Sequence, residues 1–253
     1  MNARLLCGLL PLLLSALPTA CQHTVSSSAA SSSTAAPNSG AATAPAYLHE
    51  TLCYVDSVAP SVRTDLKYAG CDNFVGRPID GYTGHRAVLR REAAAALARV
   101  AESLRPQGLG LLIWDAYRPR RAMKDFRAWS ETPDDRMKAK FYPNISKTGI
   151  YEGRYIGDES EHSWGIAVDI TLVHLKSGRP LDMGGHHDLL DPSSATLYDK
   201  LSPKQQANRL KLKTAMEAAG FRNYSKEWWH YYYMDVPQLY SYDVPLDDTL
   251  LQR

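Results

Sequence analysis

Apolar positions recur at helical spacing through residues 90–104, with Leu97, Val100, Ala101 and Leu104 on one side and Pro106 and Gly108 closing the run. The spacing predicts a helix there. Residues 109–114 are continuously apolar and too short for a helix, so they read as a buried strand. Pro119 suits the first turn of a second helix, in which Ala122, Phe126 and Trp129 make the inward stripe. Residues 130–158 are polar and proline-broken, and the expectation is a loop-rich flap. Residues 166–173 are β-branched and apolar enough for another strand, and Lys176-Ser177-Gly178-Arg179 reads as a hairpin turn after it. Leu201-Ser202-Pro203-Lys204-Gln205 carries a capping-box pattern opening a last helix, with Leu212, Met216 and Ala219 on its apolar side and Gly220 at its end. Residues 65–69 predict a short strand, residues 73–82 a glycine-punctuated loop, and the tail from Met234 a loop. The sum is an α+β domain, with helices packed against a mainly antiparallel sheet.

The ends of the chain change the picture. Arg4, an apolar run over residues 5–17 and small residues before Cys21 predict a signal peptide over residues 1–20, too short for a spanning helix. Ala20-Cys21 is a candidate lipoprotein cut site with Cys21 acylated, which would tie the protein to a membrane. Pro18 departs from the aliphatic residue usual three before such a Cys, so ordinary secretion is the alternative. Residues 21–46 are rich in Ser, Ala and Thr and read as a flexible linker. That leaves one domain over residues 47–253, in a protein exported to the periplasm or cell envelope. Lys and Arg number 29 against 27 Asp and Glu, a net charge of +2, and no basic stripe argues for nucleic acid. Oligomeric state is not legible. Of the four cysteines, Cys53 and Cys71 lie in the domain and are the candidate disulfide in an exported protein, with two unpaired thiols as the alternative. Such a loop closure stabilises by about 3 kcal/mol on chain-entropy grounds.

The chemistry concentrates in two stretches. Ser160-Glu161-His162-Ser163-Trp164-Gly165-Ile166-Ala167-Val168-Asp169 and Glu227-Trp228-Trp229-His230 together offer two imidazoles, a carboxylate placed as a ligand, and a second carboxylate three residues before the second imidazole. That is the inventory of an open zinc site with a general base: His162, Asp169 and His230 as ligands to one Zn2+ per chain, and Glu227 as the proton carrier. Taken singly, each residue has a plainer reading: a surface or hydrogen-bonded His, an Asp paired with Arg, an aromatic core run. Parity adds a constraint, because His162 and Asp169 would face opposite sides of one unbroken strand. Gly165 is the residue able to turn the chain so that His162 comes round. The same parity separates Glu227 from His230, and places Glu227 at a loop-to-strand junction. A third stretch, Trp114-Asp115-Ala116-Tyr117-Arg118-Pro119, leaves the strand at 109–114, where an Arg can aim a fixed fork of donors at an oxyanion.

The set S-x-H-x-x-G-x-A-x-D followed by E-x-x-H resembles the zinc metallopeptidases that act on D-Ala-D-Ala. The fuller match, with K-Y-A, N-F-x-G and D-G-Y in order, D-x-Y-R-P, and Phe141-Tyr142-Pro143-Asn144, resembles the dipeptidase branch typified by the vancomycin-resistance enzymes. The resemblance implies a hedgehog/D-Ala-D-Ala peptidase-like fold and zinc-dependent hydrolysis of D-Ala-D-Ala in cell-wall peptide turnover. It implies Arg118 as the oxyanion partner, Tyr68 and Asp188 as holders of the free ammonium, and Ser160 as a substrate contact. The pair His186-His187 invites a metal reading, but neighbouring side chains do not easily share an ion. The family commonly carries an aromatic residue before the Asp, so His187 is a departure. Two other functions remain open: a D,D-carboxypeptidase trimming peptidoglycan stem peptides, and a noncatalytic zinc-containing envelope-binding lipoprotein. An exported dipeptidase does not reach cytoplasmic precursors, which favours scavenging of released D-Ala-D-Ala over antibiotic resistance.

Overall fold

The computed structural model describes residues 50–251; the expected signal peptide and the whole of the expected linker, Cys21 included, lie outside them. Strand β1 (Leu52–Tyr54) runs into a single-turn helix α1 (Val55–Val58) and pairs antiparallel with β3 (Val88–Arg90). The main sheet has five strands: β2 (Arg63–Thr64), β4 (Leu109–Asp115), β5 (Ala167–His174), β6 (Phe221–Asn223) and β7 (His230–Tyr233), in the order β2-β4-β5-β7-β6. Only β2 and β4 pair parallel; the other neighbours are antiparallel. Helix α2 (Arg91–Leu104) and the last helix, α6 (Pro203–Ala218), pack on this sheet and on each other. Between them in sequence come α3 (Arg120–Ser130), α4 (Lys138–Phe141) and α5 (Lys147–Glu152). Among the described residues no helix is long and apolar enough to cross a membrane.

The period of two along β5 explains where the core sits and where a site can form. Val168, Ile170 and Leu172 are fully buried in the apolar core, each contributing about 1.5–3 kcal/mol by burial. Asp169, between two of them, therefore projects from the opposite face. Helix α6 begins as its sequence foretells: Ser202 Oγ accepts from Gln205 N while the Gln205 side chain accepts from Ser202 N. Its buried face holds Leu212, Met216 and, unexpectedly, Arg209. Arg209 donates to the carbonyls of Met183, Ser193 and Ala195 and so clamps the 183–195 loop to the helix.

Several expectations are corrected. Residues 65–69 form no strand: β2 ends at Thr64, and Lys67–Ala69 is a 3-10 turn. Asn73 sets the loop that follows, donating to the carbonyls of Lys67, Gly70 and Arg77 and accepting from Val75 N and Gly76 N. The 130–158 flap contains α4 and α5, whose Phe141 and Ile150 are buried. Cys53 is a free thiol at the centre of β1, opposite Leu89, so the expected Cys53–Cys71 disulfide is not formed. Burial pushes the Cys53 thiol up to about 11, which makes it an inert core residue. The turn after β5 forms, with Gly178 at φ 69° donating to His174 O, but beyond it there is only a bridge between Val173 and Pro180. The tail lacks regular structure yet packs back, burying Tyr242, Leu246 and Leu250.

Candidate active site

Two turns and one strand register converge three side chains. Ser160 Oγ accepts from His162 N at 3.3 Å and caps a 3-10 turn over Glu161–Trp164. Gly165 then adopts φ 68°, where a Cβ would meet Leu52 Cδ2 at 2.9 Å, so both conformation and space call for glycine. The reversal brings His162 to the face of β5 that carries Asp169. On the other side, Asp169 stands opposite His230 in the β5–β7 register. The connection from β6 is fixed by Asn223, whose amide donates to the carbonyls of both Glu227 and His230.

The three donor atoms sit close together. His162 Nε2 is 3.2 Å from His230 Nδ1 and 3.3 Å from Asp169 Oδ1, and His230 Nδ1 is 3.1 Å from the same oxygen. Four-coordinate zinc with bonds of about 2.1 Å sets its ligands about 3.4 Å apart, so this spacing and this nitrogen–oxygen donor set fit that ion. His162 Nδ1 donates to Ala116 O at 2.6 Å, which leaves the Nε2 lone pair facing the other two groups. Burial opposes the charge on Asp169, but the neighbouring His162, His187 and His230 outweigh it and hold the carboxyl well below its usual range.

A β-bulge builds the next wall. Ile113 pairs with Ile170 and Asp115 with Asp169, so Trp114 is the extra residue and the strand exit is re-aimed. Asp115, fully buried, accepts from Tyr82 Oη at 2.6 Å and from Arg118 Nε at 2.9 Å, and lies 3.4 Å from His162 Nδ1. Arg118 is thereby held with its guanidinium 3.6 Å from Asp169 Oδ2 and 5.0 Å above the Tyr68 ring. Burial works against its charge, and Tyr68, Asp115, Tyr82 and Asp169 more than offset this. Asp115, Tyr82 and Asn223 escaped the sequence reading. The signal for the first two was present, as the Asp of D-x-Y-R-P and the Tyr of D-G-Y.

Tyr68 and Asp188 add to the same lining. Tyr68 Oη donates to Asp188 Oδ2 at 2.8 Å, and Asp188 is buried with φ 59°, a backbone state that few non-glycine residues adopt. Burial raises the Asp188 carboxyl above its ordinary range, with Asp169 adding to the effect against His187 and Tyr68. Glu227 is also buried, and burial first, then Asp169 and Asp188, push its carboxyl well above the usual range. These groups line one cavity of about 530 Å³, closed on another side by Ser160, Tyr155 and Ile156. His186 turns away, with Nε2 on Lys140 O, whereas His187 reaches Asp169 and Asp188.

Residues 49–250 match the D-ala-D-ala dipeptidase family. The chain is 43% identical to a D-alanyl-D-alanine dipeptidase of Streptomyces coelicolor over 76% of this chain and 96% of that one. It is 40% identical to a D-alanyl-D-alanine dipeptidase of Enterococcus faecium over the same shares. A structural likeness to the D,D-pentapeptidase VanY in complex with Zn(II), at TM-score 0.35 and 17% identity over 58% of this chain and 73% of that one, is too distant to bear on the chemistry.

Proposed function

The chain belongs to the D-ala-D-ala dipeptidase family, and from that premise we propose that it hydrolyses D-Ala-D-Ala to two molecules of D-alanine, with His162, Asp169 and His230 holding one zinc ion. The observation that carries the proposal is the convergence, in one cavity, of this donor triad with Glu227, Arg118 and the Tyr68–Asp188 pair. When bound, the ion polarises the peptide carbonyl and makes water nucleophilic near neutral pH.

The chain's own groups do the rest. Glu227 accepts the proton of the attacking water on its carboxylate and passes it to the amine nitrogen as the C–N bond breaks. Burial raises its pKa above the ordinary carboxylate range, in the direction that makes it a stronger proton acceptor than a free carboxylate. Arg118, oriented by Asp115, donates to the carbonyl oxygen as negative charge develops there. Asp188, with Tyr68 fixing one of its oxygens, receives the substrate ammonium, and the Ser160 hydroxyl lines the cavity as a further donor. A longer peptide has no charge at that point and would leave Asp188 buried without a partner, so the pair favours dipeptides. The export signal read in residues 1–20 supports scavenging of released D-Ala-D-Ala in the envelope, whether anchored through Cys21 or free.

Zinc titration of the metal-free domain tests the proposal. D-alanine release from D-Ala-D-Ala should rise with zinc occupancy and level off at one ion per chain. Turnover that persists after complete metal removal would contradict it.

A further inference from the structure

His187 is buried at 5% exposure between two carboxylates that the proposed reaction uses for different purposes. Its Nε2 is hydrogen-bonded to Asp169 Oδ2 at 3.2 Å and lies 3.2 Å from Asp188 Oδ1. Both oxygens are acceptors, so the hydrogen of the neutral ring belongs on Nε2, because a lone pair there would face two negative groups. The ring is fixed by aromatic neighbours: Trp114 at 5.2 Å between centroids and 33° between planes, and Trp229 at 5.7 Å and 74°. Tyr68 Oη occupies the other oxygen of Asp188, and His162 and His230 face the other oxygen of Asp169. Each carboxylate thus turns one oxygen toward His187, Oδ2 of Asp169 and Oδ1 of Asp188, and the other toward different partners.

We infer that His187 is a positioning residue that ties the metal-holding carboxylate of Asp169 to the amine-holding carboxylate of Asp188, setting the distance between the two halves of the site. The inference rests on the proposed reaction for the names of those halves, but the contacts exist without it. A donor between the carboxylates keeps Asp169 from rotating away from His162 and His230, as outer hydrogen bonds do for metal ligands generally. It also screens Asp188 from Asp169, so that Asp188 can remain in its left-handed backbone state close to a like charge.

Two variants of the full domain test this, read by zinc affinity in competition with a chelator and by steady-state kinetics on D-Ala-D-Ala. His187→Phe keeps an aromatic ring against Trp114 and removes Nε2. Zinc affinity should fall about tenfold or more, and KM should rise while the zinc-saturated kcat changes much less. His187→Gln places an amide N–H near the position of Nε2 and should restore most of both losses, which a packing role would not allow. A thermal midpoint measured on each variant separates misfolding from loss of the contact. Wild-type zinc affinity and KM in a folded His187→Phe, or equal defects in Phe and Gln variants, would overturn the inference. So would two zinc ions per wild-type chain falling to one in His187→Phe, which would make Asp169, His187 and Asp188 a second metal site. The zinc-affinity arm stands even if D-Ala-D-Ala is not turned over, so failure of the proposed function and failure of this inference are told apart.

Discussion

Asp188→Asn tests the amine end of the cavity with little change of shape. Coulomb attraction sets the magnitude. Asp188 lines the cavity, and an ammonium in contact with its carboxylate, centres about 4 Å apart, is attracted by about 4 kcal/mol at an effective dielectric of ~20. An asparagine retains a neutral hydrogen bond of about 1 kcal/mol. The difference of about 3 kcal/mol is roughly a 150-fold rise in KM, with kcat less affected, because the contact exists before and during bond cleavage. The assay is initial-rate kinetics with D-Ala-D-Ala and N-acetyl-D-Ala-D-Ala on both proteins. Wild type should discriminate against the acetylated compound by a similar factor, and Asp188→Asn should erase most of that discrimination. A KM within about threefold of wild type, or undiminished discrimination, would refute the reasoning.

Glu227→Gln should lower turnover by roughly 10³-fold while zinc stays bound, as measured by metal content and D-alanine release. The same change should raise the thermal midpoint of metal-free protein at neutral pH: the folded-state pKa of Glu227 is raised, so its contribution to stability is intact in acid and lost as pH rises through that value. The gain from Gln should therefore vanish below the ordinary carboxylate range. Asp115→Ala should cost about 3 kcal/mol in denaturant unfolding, because it removes the nearer of the two carboxylates that pair with the buried Arg118, and should depress kcat along with it. Gly165→Ala should cost about 1–2 kcal/mol for the left-handed backbone alone, and should weaken zinc binding through the displaced His162 turn.

The long periodic segments were legible because local pattern and tertiary role agree there. Residues 90–104 fold as α2 within a residue of the expected start, and β4 and β5 fall where continuous apolar runs are bounded by turn residues. The parity conflict between His162 and Asp169 was informative too, since it called for a turn at Gly165, which the fold makes with that residue at φ 68°. What stayed hidden depends on register and on distant partners. The bulge at Trp114 exists only because β4 meets β5, and it turns Asp115 from a motif letter into the anchor of Arg118. The 3-10 turn at Tyr68 is set by Asn73 and by the fold around it, which β-propensity in residues 65–69 does not report. The Cys53 thiol was misassigned because compartment and count suggest pairing, whereas the β1–β3 register places it in the core. Arg209, polar and on a helix of mixed pattern, is buried only because three loop carbonyls accept from it.

The most direct test of the account is D-alanine release by the zinc-loaded domain from D-Ala-D-Ala and, side by side, from a stem pentapeptide ending in D-Ala-D-Ala. The cavity wall formed by Tyr68 and Asp188 predicts release from the dipeptide and little or none from the pentapeptide. Comparable release from the pentapeptide, or release from it alone, would contradict the closed amine end and move the chain to the carboxypeptidases.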